Sequence, residues 1–110
     1  MDDEQKQRVS LNEAVFREVN ERLQSFATAP GSEPLLDLVC ECGDRTCSER
    51  IRVARGDYEN ARADGRKFLV APGHVFPEVE VILQRNDGWD LIEKHTGVPG
   101  EIADATDPRA

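Results

Sequence analysis

From Leu11 to Phe26 the apolar residues Leu11, Val15, Phe16, Val19, Leu23 and Phe26 recur at helical spacing, which predicts an amphipathic helix with one apolar stripe. Ser10-Leu11-Asn12-Glu13 matches a capping box, in which a Ser side chain and a Glu three residues on satisfy each other's free backbone N–H groups, so the helix is expected to begin at Ser10. Glu13 with Arg17 and Glu18 with Arg22 are ion pairs in the favourable order, and Pro30-Gly31 ends the helix. Packing on a sheet is the expected fate of the stripe. A coiled-coil-like face for a partner or a second copy is the other reading.

Beyond the break, residues Leu35 to Cys40 and Glu49 to Ala54 read as strands, the second with Ile51 and Val53 inward and Arg50, Arg52 and Arg55 outward. Asp57 can cap a short helix that runs to about Asp64, with Tyr58, Ala61 and Arg62 inward, and Gly65 stops it. A third strand covers Lys67 to Ala71. Residues 78–94 are open to two readings. Pro77 with Glu78 and Glu80 resembles a first helical turn, but the alternation of Val79, Val81 and Leu83 and the turn residues Asn86-Asp87-Gly88 favour a hairpin, with Trp89, Leu91 and Ile92 packing inward.

Residues 1–9 and 96–110 carry no apolar period and are expected to be disordered tails around a single domain at 10–95. The fold class that follows is α+β, a long N-terminal helix packed on a small, mainly antiparallel sheet with a zinc-stapled hairpin loop.

All three cysteines of the 110 residues fall in Val39-Cys40-Glu41-Cys42-Gly43-Asp44-Arg45-Thr46-Cys47. Strand alternation points Cys40 and Cys42 the same way, and Gly43 and Asp44 supply a turn that can return Cys47 to them. In Ala71-Pro72-Gly73-His74, Pro72 and Gly73 suit the central positions of a type II turn, which fixes the imidazole at a rigid corner. Cys40, Cys42, Cys47 and His74 then form a Cys3His set, one of the usual tetrahedral zinc shells, binding one zinc per chain. His95, Asp44 and Glu41 compete for the fourth place; His95 reads as an ordinary surface or core histidine. An iron–sulfur cluster accepts similar ligands, although its familiar spacings differ, and a reactive-thiol site is a third reading.

The run Val-Cys-Glu-Cys-Gly-Asp, the next Cys with Glu-Arg-Ile, the short helix around Tyr58 to Ala63, and Phe68-Leu69-Val70-Ala71-Pro72-Gly73-His74 together resemble a family of short proteins of unassigned role from high-GC bacteria. The resemblance covers residues from about Phe16 to Lys94 and implies that the cysteines and the Pro-Gly-His corner belong to one unit. It implies no activity. The family usually leads into the short helix through a Thr-capped, Leu-bearing segment, where this chain has Val53-Ala54-Arg55-Gly56-Asp57.

With 22 acidic against 14 basic residues and a net charge of −8, the chain should repel nucleic-acid phosphate and anionic membrane surfaces. No apolar run reaches the roughly 20 residues that span a bilayer, and the acidic start does not suit a secretory signal, so a cytoplasmic location is expected. A chain of this size gains from a metal staple, and an odd cysteine count favours metal over disulfides. No phosphate loop or nucleophile elbow occurs, and a full Cys3His shell leaves no open position for water or substrate. The expected function is therefore a non-catalytic zinc-binding regulator or adaptor with an unidentified protein partner. The alternatives are a metal- or redox-responsive switch, in which Arg45, Arg50 and Arg52 would lower the thiol pKa values, and an acidic nucleic-acid mimic.

Overall fold

Helix α1 spans Asp3–Phe26 in the computed structural model, which describes residues 1–26 and 35–110; the expected break at Pro30-Gly31 lies outside those residues. The helix starts well ahead of Ser10. Its capping box is made by Asp2 and Gln5: the Gln5 N–H donates to Asp2 Oδ1 at 2.8 Å and the Asp2 N–H donates to Gln5 Oε1 at 2.9 Å. The expected tail at 1–9 is thus mostly the first turns of α1. Glu4, Gln5, Lys6, Gln7 and Arg8 are good helix formers, and extending an existing helix through them needs no new nucleus.

The face that α1 buries also corrects the sequence reading. Ser10, Glu13, Arg17 and Asn20 are buried along with Val9 and Ala14, whereas Leu11, Val15, Val19 and Phe26 are exposed. Of the expected stripe, Leu23 packs against the core and Phe16 is half-buried. The buried polar residues form a helical row of their own, and three of them go under because partners wait for them. Lys94 pairs with Glu13 and, at 2.8 Å, with Glu80. Arg17 donates to the carbonyls of Gly65 at 2.6 Å and Ala103 at 2.8 Å and to Thr106 Oγ1 at 3.0 Å, with its guanidinium stacked over Phe68.

Strands β1 (Leu35–Val39) and β2 (Arg50–Ala54) form the expected antiparallel hairpin, with Leu35 opposite Ala54 and Val39 opposite Arg50. Leu36, Leu38, Ile51 and Val53 face the core, and Arg50 and Arg52 face outward. Helix α2 (Arg55–Arg62) follows directly. Ala54 is its N-cap residue, so Asp57 lies inside the first turn and does not cap it. Tyr58, Ala61 and Arg62 are its buried side, as expected.

A second antiparallel sheet has the order β3-β5-β4, from β3 (Lys67–Val70), β4 (Glu80–Asn86) and β5 (Trp89–Lys94). Gly88, at φ 86°, supplies the left-handed residue of the tight β4–β5 turn. The hairpin is as expected, but β4 faces the other way: Val81 and Leu83 are exposed while Glu80 is buried. Glu80 goes inward because Lys94 stands opposite it, and a register shift between Ile82 and Gln84 marks a bulge on this edge strand.

The expected C-terminal tail is largely structured. Helix α3 (Val98–Ala105) buries Pro99, Gly100 and Ala103. Its anchors are charged. Besides Arg17, Arg66 pairs with Asp104 at 2.7 Å, and Arg109 beyond the helix meets Glu21 at 3.1 Å and also Glu59. The fold is α+β, as expected, with its antiparallel strands divided between two small sheets.

Candidate metal centre

Past Val39 the chain stays extended. The Cys40 N–H donates to Glu49 O at 3.0 Å, still on the first hairpin, and the Glu41 N–H donates to Leu69 O at 2.9 Å, which joins the cysteine strand to β3. Alternation sends Cys40 and Cys42 to one side and Glu41 to the other. The loop then closes on Asp44, whose Oδ1 accepts from the Thr46 N–H at 2.9 Å and hydroxyl at 2.7 Å while its carbonyl accepts from the Cys47 N–H at 2.9 Å. That turn brings Cys47 back beside the first two thiols.

His74 arrives on the expected corner. Its N–H donates to Ala71 O at 3.0 Å and Gly73 has φ 81°, the hydrogen bond and the positive φ of a type II turn. Asp90 braces the corner by accepting the Gly73 N–H at 3.0 Å.

The ligand atoms of Cys40, Cys42, Cys47 and His74 all lie within 4.8 Å of one another, so the four can hold a metal ion. His74 presents Nδ1, which is 3.6 Å from Cys40 Sγ and 3.6 Å from Cys47 Sγ. A tetrahedron built on Zn–S bonds of about 2.3 Å and Zn–N bonds of about 2.0–2.1 Å has S···N edges of roughly 3.6 Å, so these two edges are consistent with zinc. The Ala71 N–H donates to Cys40 Sγ at 3.1 Å, a contact that favours the ionised sulfur a metal needs.

The thiols do not ionise independently. Hydrogen bonding with Cys40 brings Cys42 down to about 5, and the same contact pushes Cys40 well up. Removal from water raises Cys47. Arg50, expected to act on these thiols, turns instead to the Leu38 carbonyl at 3.1 Å and the Asp37 carboxylate at 3.5 Å.

The competing ligands are engaged elsewhere. Asp44 is exposed and tied to Thr46. His95 is exposed, and its backbone N–H donates to Val79 O at 2.8 Å. Glu41 is fully buried on the far side of its strand, where its carboxylate accepts from Arg62 Nη2 at 2.6 Å, Asn20 Nδ2 at 2.7 Å and the Leu69 N–H at 3.0 Å.

Sequence reasoning missed how closely α1 is docked on this loop. Asn20 pairs with both backbone groups of Val39, at 2.8 and 2.9 Å, and Asn12 donates to Gly43 O at 2.9 Å. A Cβ at Gly43 would collide with Val9. The available signal was the polar row Ser10, Glu13, Arg17, Asn20, whose helical spacing is as regular as that of the apolar stripe.

No family model, curated protein or solved structure matches this chain. Among the described residues no helix is long and apolar enough to cross a membrane.

Proposed function

We propose that the chain is a small, non-catalytic zinc protein of the cytoplasm that works as a regulatory or adaptor module through contact with another protein. The observation that carries the zinc assignment is the spacing of His74 Nδ1 from Cys40 and Cys47 Sγ, 3.6 Å in each case. Zinc bound by Cys40, Cys42, Cys47 and His74 would have a complete protein shell, with its chemistry confined to holding thiolates and imidazole together. Cys40 and Cys42 belong to the strand that carries Glu41, and Asn20 and Asn12 seat α1 on the same segment. The metal therefore fixes the platform on which α1 rests. A contact role is supported by the exposure of Leu11, Val15 and Val19 on α1, since an unpartnered apolar face marks interaction sites.

The test is native mass spectrometry of chain purified without added metal, followed by chelation while secondary structure is recorded. One zinc per chain and unfolding on chelation are expected. A chain that loses its metal, keeps its fold and rebinds the metal reversibly overturns the structural assignment. That result would support the second reading, a metal- or redox-responsive switch, which the partial exposure of Cys47 favours.

A further inference from the structure

The exposed side of α1 follows a heptad pattern that the sequence reading did not resolve. Glu4, Arg8, Leu11, Val15, Glu18 and Arg22 recur at alternating spacings of four and three, and all six are exposed. The row has the a/d spacing by which two helices pair, with apolar residues at its two central positions and charged residues at the outer four. At its middle, Leu11 is 50 % and Val15 62 % exposed, with Val19 at 38 % beside them. They border an apolar groove of about 440 Å³ that Ala14 and Thr106 also line.

We propose that this face pairs with the same face of a second copy, the two α1 helices running antiparallel about a two-fold axis between Leu11 and Val15. The inference extends the contact-module reading by naming the partner. Charge complementarity selects both the occupant and the register. With Leu11 opposite Val15 of the other copy, each further a/d layer sets unlike charges together, Arg8 against Glu18 and Glu4 against Arg22. Two-fold symmetry repeats every pair. Each copy already holds half of each charged cluster, with Arg8 4.0 Å from Glu4 and Arg22 3.6 Å from Glu18.

The seam is also electrically neutral, two Glu and two Arg, on a chain of net charge −8. A second copy is repelled by most of this surface but not here, and opposed charges then fix the register. A parallel pairing sets Arg8 against Arg8 and Glu18 against Glu18. Three exposed apolar side chains per copy make a small core against the about 1,200–2,000 Å² that stable complexes bury, so the dimer is expected to be weak, with a Kd of about 10–1,000 µM.

Charge reversal tests the register directly. Sedimentation equilibrium of the zinc-loaded full chain, from about 10 µM to 1 mM, should show a concentration-dependent dimer. Arg8→Glu alone sets Glu against Glu18, and Glu18→Arg alone sets Arg against Arg8, so each variant should self-associate at least tenfold more weakly. An equimolar mixture of the two should dimerise again, because each chain then supplies what the other lacks. Val15→Asp should abolish association in every combination. Melting temperature and zinc content are read on each sample to show that the folds are intact. A wild-type chain that stays monomeric throughout the range, as it would if this face serves a foreign helix, overturns the self-pairing. So does a mixture that fails to associate. Either result with one zinc per chain leaves the zinc assignment standing, whereas failure of that assignment shows as a folded, metal-free chain.

Discussion

Glu41 lies between the two cysteines Cys40 and Cys42, yet its carboxylate points away from them to Arg62, 2.6 Å away and equally buried. A single strand thus serves the metal pocket on one face and a buried ion pair on the other. Arg62 is further held over the Tyr58 ring and within 3.7 Å of Glu21. Removing one partner strands the other's charge, so Glu41→Ala and Arg62→Ala should each cost about 3–5 kcal/mol of folding stability in urea melts. The double variant should cost clearly less than their sum. Strict additivity would show that the two groups do not depend on each other.

Metal content and stability should fall together when a ligand is lost. Cys40→Ser, Cys42→Ser, Cys47→Ser and His74→Ala are each expected to lower bound zinc and the melting temperature, since metal binding and folding are one equilibrium at such a site. Asp44→Asn and His95→Ala should leave zinc content unchanged. Full occupancy in the triple cysteine variant would rule out this ligand set.

Glu13 makes the stability of the protein fall as pH rises. Burial, followed by the neighbouring Glu80, raises its pKa well above the usual carboxylate value, against the opposing pull of Lys94. A carboxyl with a raised folded-state pKa contributes stability that is complete below its unfolded value, near 4.5, and is lost as pH rises through the folded value. Wild type should therefore lose stability relative to Glu13→Gln as pH is raised from 5 to 8. Urea melts of the two proteins across that range check the sign. A difference that is flat, or that grows in favour of wild type with pH, rejects it.

Gly43 is a point of close approach between α1 and the cysteine loop. Gly43→Ala should destabilise the fold by about 1–3 kcal/mol, the usual cost of overpacking, because its Cβ would collide with Val9. Adding Val9→Ala should recover part of that loss. Absence of any recovery in the thermal melt of the double variant would place the strain elsewhere.

The apolar stripe on α1 separates the two levels of reading. If the stripe were core, Val19→Asp would cost several kcal/mol by placing an unpaired charge inside. With Val19 38 % exposed, the expected change is within about 0.5 kcal/mol, as for other surface substitutions. A loss of several kcal/mol in the melt would mean that the stripe is covered after all.

Local chemistry made the ligand set legible. Alternation alone points Cys40 and Cys42 to one side, Asp44 folds the loop through its own side chain, and Gly73 supplies the positive φ that the His74 corner requires. Each of these is settled within a few residues, as is the β4–β5 turn at Gly88. The face of α1 and the ordering of both ends were not settled locally. Glu13 is buried because Lys94 meets it, Arg17 because Gly65, Ala103 and Thr106 accept its hydrogen bonds, and Glu41 because Arg62 and Asn20 surround it. A charged side chain is stable inside only when partners pair with it or satisfy its hydrogen bonds, and these partners stand far away along the chain. The local pattern was enough to single out the three cysteines and to offer His74 as the fourth ligand, ahead of His95, Asp44 and Glu41. Only the tertiary structure decided that α1 would turn its charges inward and leave Leu11, Val15 and Val19 to solvent, because burying the charges depends on partners that only folding brings together.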